Sequence, residues 1–328
     1  MVKKLKIVSD WTSDLMMYDL GKENKNNLEK LFPVDIDIID LPALKKSAKD
    51  ASIYFGNRIS ENIVKRIPNL EWVHFGSIGI EKLSEEFISS RKLTISNSRN
   101  TMEDAVASSV LASIFALARG MVLYPELRKE KNFNRKFFEN YKENIDNVFN
   151  SNFCILGYGN IAQKLIKVLS PLTKNINVVT RTERKDKNGI NFFSYSEKYQ
   201  ALKNCKYLIN LLPEHPETIG FVDRALLVKI KEPFFYINFG RYMTHKEEDL
   251  IELLDSKKIS AAAFDVFDPS SFKSLLNIKN LILTPHVASV SKDFWKKEMK
   301  LISYNLECFL NKDITSMKNL IFLKGKKI

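Results

Sequence analysis

Residues 153–166, Phe-Cys-Ile-Leu-Gly-Tyr-Gly-Asn-Ile-Ala-Gln-Lys-Leu-Ile, constrain the fold of this chain more than any other stretch. The apolar run Phe153 to Leu156 suits a buried parallel strand. Gly157, Gly159 and Ala162 follow at the spacing of a dinucleotide-binding turn, and Ile161, Leu165, Val168 and Leu169 continue with helical periodicity. Gly157 permits a tight strand-to-helix turn, and Gly159 lets the backbone approach a pyrophosphate. A small residue at 162 lets helix and strand pack closely, and the helix start, with Asn160 and Ile161, offers free N–H groups to an anion. The spacing points to a nucleotide site, although a βα turn without a ligand can carry the same pattern.

The flanking sequence repeats the alternation. Before the motif, strands are predicted over 5–9, 34–39, 53–55, 72–76 and 93–96, with helices over 26–32 and 61–67, the latter capped by Ser60. Thr101-Met-Glu-Asp resembles a capping box and opens a long helix over 102–121, followed by helical character over 124–148. After the motif, strands are predicted over 177–180, 207–212, 234–238, 261–266 and 281–284, and a last amphipathic helix over 292–310. Several strands are apolar on both faces, as a doubly covered parallel sheet requires. The fold class is α/β, with two Rossmann-like domains built on doubly wound parallel sheets.

A chain of 328 residues can bury two cores. No run is long and apolar enough to span a bilayer, so no membrane partner is expected. Cys154, Cys205 and Cys308 are scattered among apolar residues, which suits buried thiols in a cytoplasmic protein and gives no metal-ligand spacing. The net charge of +12 is spread along the chain rather than gathered into a basic, aromatic-laced stripe, so no nucleic-acid partner is expected either.

Three later pieces fall at predicted strand ends, where open α/β sheets bind ligands. They are Leu211-Leu212-Pro213-Glu214-His215-Pro216-Glu217-Thr218, Ile237-Asn238-Phe239-Gly240-Arg241, and Phe264-Asp265-Val266-Phe267 with Thr284-Pro285-His286-Val287-Ala288. They bring a guanidinium, an imidazole and a carboxylate toward the crevice of the glycine turn. With Leu70-Glu71-Trp72-Val73 and Gly76-Ser77-Ile78-Gly79-Ile80, this ordered set resembles the D-isomer-specific 2-hydroxyacid dehydrogenase family, most closely its NADP-dependent glyoxylate/hydroxypyruvate reductases. The resemblance implies a discontinuous substrate domain, residues 1–98 and 288–328, around a dinucleotide-binding domain, residues 99–287, and a homodimer. It implies reduction of a small 2-oxo acid to the D-2-hydroxy acid. His286 is then the acid/base, Arg241 binds and polarises the substrate, the backbone of Ser77, Ile78 and Gly79 takes the carboxylate, and Asp265 binds the nicotinamide carboxamide. Leu212, Pro213, Thr218, Phe239, Gly240, His286 and Ala288 are expected beside the cofactor.

The sequence departs from the family at informative places. A glutamate that orients the catalytic histidine is usual five residues after the aspartate matched by Asp265; here the position is Ser270. Serine can orient an imidazole without charge, or Asp268 could replace the glutamate after a loop shift, so both join the candidate catalytic set. Without a charged partner for His286, reduction is expected to be favoured at more acidic pH. Tyr242 replaces the usual glycine after the arginine, and Ser108-Ser109 replaces a common Glu-His pair. These changes keep open a catalytically impaired dinucleotide-binding regulator or scaffold. About 20 residues past the glycines, where an acid would bind the ribose of NAD, stand Thr180, Arg181 and Thr182. Arginine with hydroxyl donors suits a 2′-phosphate, so NADP(H) is favoured, with NAD the alternative.

Overall fold

The computed structural model describes residues 4–12, 18–39, 49–80, 83–131, 134–185 and 189–328. The chain divides into two compact units, Met1–Met102 with Val290–Ile328, and Glu103–Ser289.

The first unit holds a seven-stranded sheet of β1 (Leu5–Ser9), β2 (Val34–Ile38), β3 (Ile53–Phe55), β4 (Trp72–Phe75), β5 (Thr94–Asn97), β13 (Leu320–Leu323) and β14 (Lys326–Lys327). Its order is β14-β13-β5-β4-β3-β1-β2. The first five strands are parallel, and β13 runs antiparallel to β5, with Phe322 opposite Ile95. The pair β13 and β14 was not anticipated. Leu320–Leu323 is itself a short apolar run, but its partner lies over 200 residues earlier, where no local pattern announces it. Ser60 stands at the N-cap of the helix Glu61–Val64, but its side chain makes no capping bond.

The second unit holds an all-parallel sheet of β6 (Phe153–Leu156), β7 (Ile176–Thr180), β8 (Ile190–Ser194), β9 (Tyr207–Asn210), β10 (Phe234–Asn238), β11 (Ile259–Phe264) and β12 (Leu281–Leu283). The order β12-β11-β10-β9-β6-β7-β8 puts the reversal of strand order between β6 and β9, beside the glycine turn. Alternate residues feed two cores. Phe153, Ile155, Ile209 and Ile237 pack with Val106, Val110, Ile114 and Leu117 of the helix Glu103–Ala118. Cys154, Leu156, Leu208 and Tyr236 enter the core on the other face.

The long helix starts at Glu103, one residue later than the capping-box reading, and the Thr101 hydroxyl donates to the Ser98 carbonyl at 2.7 Å. It ends before Gly120, whose φ of +65° breaks the helix. The expected helical run over 124–148 resolves, in its described residues, into Tyr124–Lys129, Arg135–Asn140 and a single turn at Lys142–Asn144. No single helix among the described residues is long and apolar enough to cross a membrane. All three cysteines are buried free thiols. Ile155, fully buried in β6, tests the core: Ile155→Ala should lower unfolding free energy by about 2–5 kcal/mol in chemical denaturation.

Candidate active site

The glycine turn has the geometry its sequence asks for. Gly157 takes φ +97°, and a Cβ there would lie 3.0 Å from the Leu211 carbonyl oxygen. Around a Cβ on Gly159, by contrast, nothing lies within 4 Å. That open side lies at the N-terminus of the ten-residue helix Asn160–Leu169, in which Ala162 is fully buried. The arrangement fits a dinucleotide pyrophosphate.

Beside the turn is a cleft of about 350 Å³, whose walls include Gly157, Thr180, Arg181, Thr182, Arg184, Pro213, His215 and Thr218. Thr180 is buried and donates its hydroxyl to the Thr182 carbonyl at 2.5 Å, which shapes the turn and spends that donor. Arg181 is 3.8 Å from Glu217, a largely exposed pair worth about 0–1 kcal/mol, so a phosphate competes with little cost. The Arg184 guanidinium stacks 5.0 Å from the Tyr158 ring. Thr218, only 1% exposed, donates to the Pro213 carbonyl at 2.7 Å and accepts from the His215 amide, folding the loop 213–218.

Three adjacent strands carry the remaining candidates. After β10, Phe239 is buried, and Gly240 has no room for a side chain: a Cβ would sit 2.6 Å from the Leu212 carbonyl oxygen. Arg241 is half-buried, with Nη1 donating to the Gly240 carbonyl at 3.1 Å. Tyr242 is 38% exposed at the start of a 3-10 turn.

After β11, Asp265 is buried and both carboxylate oxygens are engaged. Oδ1 accepts from the Thr284 hydroxyl at 2.6 Å and the Val287 amide at 2.9 Å, and Oδ2 accepts from the Ala288 amide at 3.2 Å. The Asp265 carbonyl also accepts from the His286 amide. Asp265 therefore staples the loop that presents His286, which is exposed with φ +54°.

Asp268 and Ser270 differ from their expected places. Asp268 Oδ1 accepts from the Ser270 amide at 2.8 Å and hydroxyl at 2.7 Å, capping the turn Pro269–Ser271. These bonds hold its carboxyl below the usual range. Both residues are committed to each other, and among the described residues no carboxylate lies within ion-pair distance of the His286 imidazole. Sequence reasoning missed Glu247, which reads as an ordinary first-turn acid but is buried, with Oε1 accepting from the Asp268 amide at 2.6 Å.

In the first unit, the loop after β4 presents backbone amides. The Ser77 carbonyl accepts from the Ser98 amide, and the Ile78 carbonyl from Asn97 Nδ2 at 2.6 Å. A trans peptide points its C=O and the following N–H in opposite directions, so the amides of Ile78 and Gly79 face away from these partners. Neither donates to another described residue, which leaves two consecutive donors for an anion. Buried Asp10, also missed from sequence, accepts from the amides of Asn57 and Arg58 at 3.0 and 2.7 Å and fixes the loop after β3.

The fold and the glycine-turn cleft are those of a dinucleotide-binding α/β protein. The chain belongs to the D-isomer specific 2-hydroxyacid dehydrogenase family: the model of that family's NAD binding domain matches residues 111–288, over half of the chain. Solved structures with the same fold include D-lactate dehydrogenase from Aquifex aeolicus with NAD and lactic acid, at 15% identity and TM-score 0.80, covering 96% of this chain and 98% of that one. An NADPH-dependent glyoxylate/hydroxypyruvate reductase from Sinorhizobium meliloti with NADP and malonate matches at 18% identity and TM-score 0.79, covering 99% of each chain. An acyclic imino acid reductase with NADPH and D-Arg matches at 18% identity and TM-score 0.81, covering 97% of this chain and 100% of that one.

Two outcomes are expected. Gly240→Ala must displace the Leu212 backbone, so cofactor affinity measured by NADPH fluorescence should fall at least tenfold. Burial pushes the Glu247 carboxyl up, but bonds from His245, Ser271 and the Asp268 amide outweigh it and hold it below its ordinary 4.5. Glu247 thus contributes stability above pH 4.5 that is lost as pH falls through its lower folded value. In urea unfolding at successive pH values, Glu247→Gln should flatten that acid limb.

Proposed function

We propose that this enzyme reduces a small 2-oxo acid of the glyoxylate or hydroxypyruvate type to the D-2-hydroxy acid, with NADPH preferred over NADH. The observation that carries this reading is the Asp265 staple, which holds His286 on the loop after β12, beside the strands that lead into Arg241 and Asp265. The bound nicotinamide supplies the hydride. His286 gives a proton to the carbonyl oxygen, and the Arg241 guanidinium draws charge toward that oxygen and holds the substrate. The two unspent amides of Ile78 and Gly79 suit a carboxylate. Asp265, with its oxygens engaged by the 284–288 loop, acts here through His286 more than through the nicotinamide carboxamide. Arg181 and Thr182, joined by Arg184, bind the 2′-phosphate; the Thr180 hydroxyl shapes their turn. Nothing in the fold or among the relatives favours a non-catalytic scaffold.

A second reading has one observation in its favour. The nearby carboxylates are spent on loop amides and hydroxyls, leaving His286 without a charged partner. A protonated 2-imino acid accepts hydride at carbon without a proton having to be delivered in the same step, and one structural relative is named an imino acid reductase. Oxidation of NADPH and NADH with glyoxylate, hydroxypyruvate and pyruvate, with and without an added amine, separates the two. On the first reading, the 2-oxo acid alone suffices and His286→Gln lowers kcat by about 100-fold or more. On the second, amine is required and His286→Gln retains most of the rate. Arg181→Asp should lower the NADPH-to-NADH ratio of kcat/KM by about 10–100-fold, the worth of a charge-assisted hydrogen bond.

A further inference from the structure

Beneath the loops of the second unit lies a buried chain of hydrogen bonds that the reaction does not use, and its directions can be read. The Leu212 amide donates to Asn210 Oδ1 at 3.2 Å, and the Gly240 amide to Asn238 Oδ1 at 3.1 Å. A backbone N–H can only donate, so both side-chain amides are fixed with Nδ2 pointing the other way. Asn210 Nδ2 donates to the Thr244 hydroxyl at 2.7 Å and to the Tyr236 hydroxyl at 3.2 Å. Asn238 Nδ2 lies 3.2 Å from His245 Nδ1, and the Tyr236 hydroxyl 3.1 Å from the same nitrogen. Facing the Asn238 donor, Nδ1 must accept, so the imidazole proton sits on Nε2, 3.4 Å from Glu247 Oε1.

The chain ends on two loops. Thr244 accepts from Asn210 and donates to the Arg241 carbonyl at 2.6 Å. Glu247 Oε1 receives His245 Nε2–H and the Asp268 amide at 2.6 Å. Asn210, Asn238 and Thr244 are fully buried, and His245 and Glu247 are nearly so. His245 is thus part of an interior network.

We infer that Thr244, His245 and Glu247 are positioning residues: through this chain they fix the Arg241 loop and the 265–271 loop in one arrangement, and so set affinity for the substrate without touching it. The catalytic half of this inference rests on the assignment of Arg241 to the substrate; the mechanical half does not.

The test uses the full chain with Glu247→Gln, Thr244→Val and Thr244→Ser, read by backbone amide exchange and steady-state kinetics. Thr244→Val cuts the link to Arg241, and Thr244→Ser keeps it. Glu247→Gln should speed exchange at Asp268 and, across the chain, at Gly240 and Thr244. Thr244→Val should raise KM for the 2-oxo acid by about tenfold, the worth of one lost hydrogen bond to a site residue, with KM for NADPH unchanged and Thr244→Ser close to wild type. Thr244→Ser matching Thr244→Val, or a lower melting temperature with wild-type KM, would overturn the positioning role. Exchange confined to Asp268 in Glu247→Gln would overturn the coupling of the loops. If the wild-type chain turns over neither 2-oxo acid nor imine, the proposed function fails, and exchange alone still decides whether the loops are coupled.

Discussion

A polar side chain closes strand after strand in this molecule and folds back on the loop that follows. Asn210 ends β9 and takes the Leu212 amide, Asn238 ends β10 and takes the Gly240 amide, and Thr180 ends β7 and donates to Thr182. In the first unit, Ser9 ends β1 and takes the Trp11 amide, and Asn97 ends β5 and takes the Arg99 amide. The Asn and Ser returns are two-residue turns of the Asx or Ser/Thr kind, while Thr180 donates to the carbonyl two residues on. A parallel sheet covered on both faces has room for chemistry only where its strands end, and there the backbone loses its ladder partners. Buried polar residues at the last strand position satisfy those groups and aim the loops that carry Arg181, Leu212 and Arg241.

How much of this could be read beforehand follows from range. The glycine turn is a local event: positive φ at Gly157 and open space at Gly159 are consequences of residues within a few positions, and β6 runs over Phe153–Leu156 as its apolar run indicates. The strands β9 to β12 are equally legible as apolar runs between helical patterns, whereas β8 (Ile190–Ser194) was not anticipated. What escaped is long-range or hidden in an ordinary context. Nothing near Leu320 says that it will pair with Ser96, and nothing near Glu247 says that a helix-start acid will be turned inward toward the amide of Asp268. A cue did exist for the strand-end residues: a lone Asn closing Tyr-Leu-Ile-Asn or Phe-Phe-Tyr-Ile-Asn is out of place in an apolar run unless it has a backbone group to serve.

Each unit also buries a histidine against a glutamate. His74 and Glu298 meet at 2.8 Å, fully buried, and Ser98, which holds the Ser77 carbonyl, donates to the same carboxylate oxygen at 2.7 Å. His245 and Glu247 stand in a similar relation to the Asp268 loop. Removing one partner of such a pair leaves the other buried and unsatisfied and costs about 1–3 kcal/mol, more than an exposed ion pair is worth. In both units, then, the candidate site loops are held from beneath by buried pairs, while exposed side chains such as Arg181 are held loosely.

The antiparallel addition of β13 to β5 has a consequence for synthesis. The second unit is one continuous stretch and can begin to fold as soon as residue 289 has left the ribosome. The first unit cannot close its sheet until residues 320–327 emerge, and until then the rim of β5 stays an unpaired template of amides and carbonyls. The nascent chain must therefore carry a half-built sheet through the whole translation of its neighbour, and it is during this interval that strand-to-strand association between chains competes with the native partner.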